Sequence, residues 1–127
     1  MKELIQNLLQ ESLIKKCANI DAEIIKQRSS YQQLLKRAES TDLRIAYLAN
    51  YDALLRLLEI YLLNFGYLLG NHPHAAARRI LNYLTTEFDI SNVITIRHQV
   101  KKSNLQPILL DIENLSSLRE KVKEICF

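Results

Sequence analysis

The chain has 127 residues, with 17 lysines and arginines against 14 aspartates and glutamates, three histidines, two cysteines, two glycines and two prolines. That length suits one domain, residues 1–127, large enough to bury a single core, and a formal charge of +3 permits nucleic-acid binding without arguing for it. So few glycines and prolines leave no glycine-rich loop and favour helix almost throughout.

Leu4, Ile5, Leu8 and Leu9 predict a short first helix, which the pattern allows to run on towards Cys17. Asp21 is placed to cap a second, with Ile24, Ile25, Tyr31, Leu34, Leu35 and Ala38 on one stripe. A long amphipathic helix follows from Asp42 to Gly66. Ser40, Thr41 or Asp42 caps its first turn, and apolar positions recur through Ala46, Tyr47, Ala49, Ala53, Leu54, Leu57, Leu58, Tyr61 and Leu62. Gly66 ends it in the left-handed conformation. Gly70-Asn71-His72-Pro73 reads as a turn, with Pro73 in the first turn of a helix that carries Ala76, Ala77, Ile80, Leu81 and Leu84 and stops near Phe88. Asp89 or Ser91 caps a further helix through Val93, Ile96 and Val100 towards Ser103. Its Val93–Ile96 run is β-prone but has no visible partner strand. A last helix from Pro107 to Ile125 carries Leu110, Ile112, Leu115, Leu118, Val122 and Ile125. The fold class expected is all-α, a helical bundle of about five helices, with Tyr47, Leu54, Leu58, Leu62, Ile80, Leu84 and Ile96 in its core.

Cys17 and Cys126, far apart and in apolar and basic contexts, read as reduced packing thiols. Met1–Gln10 is too short and polar for the apolar region of a signal peptide. In the most apolar stretch, Leu54–Leu69, Arg56, Glu59 and Asn64 argue against a membrane span. A soluble, cytoplasmic protein is expected.

Chemistry-bearing motifs are sparse. No phosphate-binding loop or dinucleotide fingerprint is present, so no cofactor is expected. His72 and His74 lie two apart in a turn without a neighbouring cysteine, and read as solvated rather than as metal ligands. Asp52 and Arg56, four apart on one helix, read as a structural ion pair. Tyr47, Tyr51 and Tyr61 at helical spacing read as packing residues. Arg97-His98-Gln99-Val100-Lys101-Lys102 is the most suggestive segment. On a helix Arg97 and Lys101 share a face, as do His98 and Lys102. An arginine and a histidine on one phosphodiester suit cleavage without metal, the imidazole moving protons and the guanidinium holding charge. A solvated basic face is the plainer reading.

The order Ala46-Tyr47, Tyr51-Asp52-Ala53, an apolar run to Leu63, Gly66-Tyr67, His74 and Arg97-His98 resembles the HEPN superfamily. It is similar to small bacterial members with an "AY…YDA" central helix, a "GH"-like turn and an "RxRN…Y" segment, over roughly residues 22–102. The resemblance implies an up-and-down helical bundle, a homodimer, frequent pairing with a minimal nucleotidyltransferase in toxin–antitoxin or phage-defence loci, and in many members metal-independent ribonuclease activity through an Arg-x(4–6)-His motif at the dimer cleft. Here Arg97 matches the arginine, but five positions on stands Lys102, flanked by Lys101 and Ser103. An unperturbed lysine is protonated at neutral pH and is no general base. The expected function is therefore a non-catalytic module binding a nucleotidyltransferase partner, RNA or a nucleotide, with Arg97, Lys101 and Lys102 as phosphate contacts. The alternatives are a metal-independent endoribonuclease built on Arg97 and His98, which lie about 100° apart around the helix, and a helical adaptor unrelated to nucleic acid.

Overall fold

A computed structural model describes all 127 residues. It holds six helices: α1 (Lys2–Gln10), α2 (Ile20–Arg37), α3 (Leu43–Leu63), α4 (Pro73–Leu84), α5 (Ile90–Lys102) and α6 (Leu109–Cys126). Two short strands, β1 (Ile14–Lys16) and β2 (Tyr67–Leu69), complete the elements. The protein is all-α in character, a helical bundle with one small antiparallel ribbon that pairs Ile14 with Leu69 and Lys16 with Tyr67. No helix is long and apolar enough to cross a membrane. Both cysteines are free.

α3 is the axis of the bundle, with α2, α6, α5, α4 and β2 all packed against it. The expectation of an amphipathic helix is corrected here. Leu55, Ile60 and Leu63, outside the expected stripe, are as buried as Leu54, Leu58 and Leu62. A helix apolar all round is a core helix. Asp42 caps it, its carboxylate accepting from the amides of Arg44 (3.0 Å) and Ile45 (3.3 Å). Gly66, at φ +90°, turns the chain after its last residues. α5 is fixed to α3 at both ends. The Tyr47 hydroxyl donates to the Val93 carbonyl (2.8 Å) and Arg44 donates to the Val100 carbonyl (2.8 Å).

Several local expectations are revised. α1 stops at Gln10 instead of running towards Cys17, because Ser12 turns the chain at φ +59° into β1. The ribbon closes tightly: a Cβ on Gly70 would lie 3.0 Å from the Ser12 carbonyl oxygen and 3.1 Å from that of Leu13. α4 ends at Leu84, short of Phe88, because Thr85 is extended. Val93–Ile96 is helical within α5, and Asp89 rather than Ser91 caps that helix by accepting from the Asn92 amide at 3.0 Å. α6 starts at Leu109, two residues later than expected, where the Asp111 carboxylate accepts from the Ile108 amide. Of the expected core, Tyr47, Leu54, Leu58, Leu62 and Ile80 are buried, while Leu84 and Ile96 are half-buried against the cluster. Ile25, Leu110 and Ile125 lie on outer faces, 70, 57 and 44 % exposed.

Two charged side chains are unexpectedly inside. Arg119 of α6, 9 % exposed, donates to Asn50 Oδ1 of α3 (3.3 Å) and to the Tyr31 hydroxyl of α2 (3.2 Å), joining three helices. Glu59 of α3 accepts from the Leu69 amide (2.9 Å) and pins β2 to the helix. Burial raises the Glu59 pKa above its ordinary 4.5, outweighing the Leu69 hydrogen bond and the nearby Arg56. Below that ordinary value the carboxyl is neutral in both states and costs nothing. As pH rises, the unfolded chain ionises first, so the contribution of the neutral form is lost on approach to neutrality. Glu59→Gln should therefore gain stability on the wild type between about pH 4.5 and pH 7, measured by urea denaturation. A constant difference across that range would contradict a raised pKa at Glu59.

Candidate functional site

α3, α4 and α5 bring one aromatic, two histidines and one arginine together. Tyr51 faces α4 and α5 from the middle of α3 and is 1 % exposed. Pro73 starts α4 with a preset φ, so His74 sits in its first turn beside Tyr51. The Tyr51 hydroxyl lies 2.9 Å from His74 Nδ1, with the rings tilted at 43° and their centroids 5.6 Å apart. Arg97 of α5 places its guanidinium 5.7 Å from the centre of the Tyr51 ring, within cation–π range.

A cavity of about 300 Å³ opens beside this group, lined by His74, Ile94, Thr95, Arg97 and His98. Arg97 and His98 thus border the same space although they are adjacent in sequence. A ligand larger than one atom meets both, and the 100° offset does not separate them.

The protonation states follow from the surroundings. Burial pushes the Tyr51 phenol up to about 12, against the opposing pull of Arg97, so it keeps its proton at neutral pH. Burial also lowers the His74 pKa, with the cationic Arg97 adding to the effect, so its imidazole is neutral. Within the chain the Tyr51 hydroxyl meets no acceptor other than His74 Nδ1, which favours donation to that nitrogen. We assign the ring proton of His74 to Nε2, which leaves that N–H as its free donor. Arg97 Nε is buried and bonded to nothing in the chain. Two imidazoles, a threonine hydroxyl and a guanidinium around one cavity present hydrogen-bond donors of the kind that an oxyanion accepts from.

The other expected residues divide. Lys101 lies one turn beyond Arg97 and lines a neighbouring cavity with Arg37 and Asp52. Lys102 is exposed and lines neither. Asp52 and Arg56 do not form the expected ion pair. The chain's ion pairs are Arg79–Glu11, Arg119–Glu120 and Lys121–Glu87. Asp52 has a short side chain facing the α5 side, whereas the charge of Arg56 acts on buried Glu59. His74 is not the solvated turn residue expected, while His72 remains exposed at the cap of α4. No cluster of three or more His, Cys, Asp or Glu side chains has the arrangement to hold a metal ion.

His74 and Tyr51 were missed as site residues. A histidine two positions into a helix carries no motif, and a tyrosine in an apolar stripe is indistinguishable from packing until its hydroxyl partner is known. Fold and site together define a small helical-bundle domain with a cavity lined by one arginine and two histidines. Comparison with protein-family models, curated proteins and solved structures returns no match.

Proposed function

We propose that the chain is a HEPN-like helical module that binds RNA or a nucleotide by gripping a phosphate in the Arg97 cavity, without cleaving it. The observation that carries this reading is the convergence of Arg97, His74 and His98 on one cavity beside buried Tyr51. In the toxin–antitoxin or phage-defence setting that goes with the resemblance, its partner is a nucleotidyltransferase, and the module itself is a homodimer. Ile108, Leu109 and Leu110, each between 57 and 60 % exposed, support an apolar contact with a second copy. Light scattering that gives the monomer mass at high micromolar concentration would remove the dimer from this account.

A second reading, metal-independent RNA cleavage, is favoured by one observation: a second histidine, His74, shares the cavity with Arg97 and His98. Two imidazoles and a guanidinium suffice in kind for acid–base cleavage of a phosphodiester. The two readings separate on substitution. For the binder, Arg97→Ala and Lys101→Ala each weaken single-stranded RNA binding and lower the slope of log affinity against log salt by roughly 0.7. His98→Ala changes affinity little, because the guanidinium of Arg97 carries the charged contact to the phosphate. For the nuclease, pure protein degrades RNA in excess chelator and His98→Ala abolishes the cleavage. We expect the first pattern. Chelator-resistant cleavage lost on His98→Ala would overturn it.

A further inference from the structure

The neighbouring cavity has a chemistry of its own. Lys101 follows Arg97 by four residues, about 6 Å further along the axis of α5, a step of the order of the spacing between consecutive phosphates in an extended single strand. With Arg37 at the end of α2, Asp52 of α3 and the apolar Leu34, Ile45 and Leu48, it lines a space of about 200 Å³. None of its three charged groups takes part in an ion pair of the chain. The two cavities follow one another along α5, Arg97 lining the first and Lys101, one turn on, the second, with no lining residue in common.

The composition fits neither a bare anion site nor a structural one. Two cations against one carboxylate attract an anion, yet a lone carboxylate beside that anion is a cost unless the ligand brings a donor to it. The apolar wall on the third side favours a carbon-bearing group rather than an inorganic ion. A ribonucleotide supplies all three: a phosphate for the cations, a 2′-hydroxyl donor for the carboxylate and the face of a sugar or base for the leucines. Deoxyribose lacks that donor.

We propose that this second cavity is a subsite for the adjoining nucleotide of a single RNA strand, with Arg37 and Lys101 on its phosphate and Asp52 accepting from its 2′-hydroxyl. This rests on the Arg97 cavity being a phosphate site, and it makes the ligand an oligoribonucleotide rather than a mononucleotide. Arg37 is exposed and Asp52 half-buried without an ion-pair partner, so neither change threatens the fold.

The test measures binding of an oligouridylate pentamer and its deoxy counterpart by fluorescence anisotropy across a salt series. Arg37→Gln should lower the salt slope by roughly 0.7, and combining it with Arg97→Ala should lower it by roughly 1.4, the sum for two independent phosphates. Asp52→Asn should reduce the preference for ribose over deoxyribose about tenfold, as expected for loss of a charged hydrogen bond. An unchanged slope in Arg37→Gln while Arg97→Ala lowers it overturns this subsite and leaves the first cavity standing. A ribose preference untouched by Asp52→Asn overturns the role of the carboxylate. A wild-type protein that binds neither pentamer overturns both this inference and the reading beneath it.

Discussion

Replacing Leu58 by alanine should destabilise the protein by about 2–5 kcal/mol, the range for truncating a fully buried leucine. Leu58 has no exposed surface and sits in the middle of α3, the helix that every other large element contacts. Removing its branched end sacrifices the transfer free energy of the lost carbons. It also leaves a cavity whose walls belong to several elements and cannot all move in together. For a chain of this size the loss corresponds to a fall of roughly 6–20 °C in the melting midpoint. The same substitution at half-buried Leu84, near the end of α4, should cost clearly less. Equal costs at the two positions would mean that α3 is not the axis on which the bundle is built.

Arg119→Ala should cost about 2–4 kcal/mol, more than a surface charge warrants. Its ion pair with Glu120 (2.8 Å) contributes little, because Glu120 is well exposed. The cost comes from Asn50 Oδ1 and the Tyr31 hydroxyl, which lose their donor inside the bundle, and from the buried stem of the arginine. Arg119→Lys should recover only part of this, since an ammonium cannot reproduce the two directions in which the planar fork donates. Urea denaturation of the three proteins gives the ranking. A loss under about 0.5 kcal/mol in Arg119→Ala would show that the three-helix junction is not held by these hydrogen bonds.

The helix order was legible because its signals are local. Asp42 and Asp89 are short oxygen side chains just before apolar repeats, Gly66 is one of two glycines, and Pro73 stands where a helix tolerates it. The small ribbon was not legible. Three residues per strand give no periodicity, and pairing Ile14 with Leu69 depends on a contact across the whole of α2 and α3. Ile25 was misplaced for a related reason: α2 offers only one side to α3, and a stripe read from spacing is wider than the face that is covered.

For the site, the sequence alone determined that Arg97, His98 and Lys101 share a basic helical segment and that no loop or metal motif competes with it. It also determined the long helix that carries Tyr51 and Asp52, though not that this helix is buried on nearly all sides. Only the tertiary structure decided which of these act together. His74, from a turn that reads as solvated, meets Tyr51 across 23 positions, and Arg97 meets the same ring from a third helix. Asp52 turns away from Arg56, its neighbour on the helix, towards Arg37 and Lys101. The physical reason is range. Capping and periodicity act over a few residues, and so can be read along the chain. Desolvation, tautomer choice and cavity shape depend on groups that are close only after α3, α4 and α5 have packed.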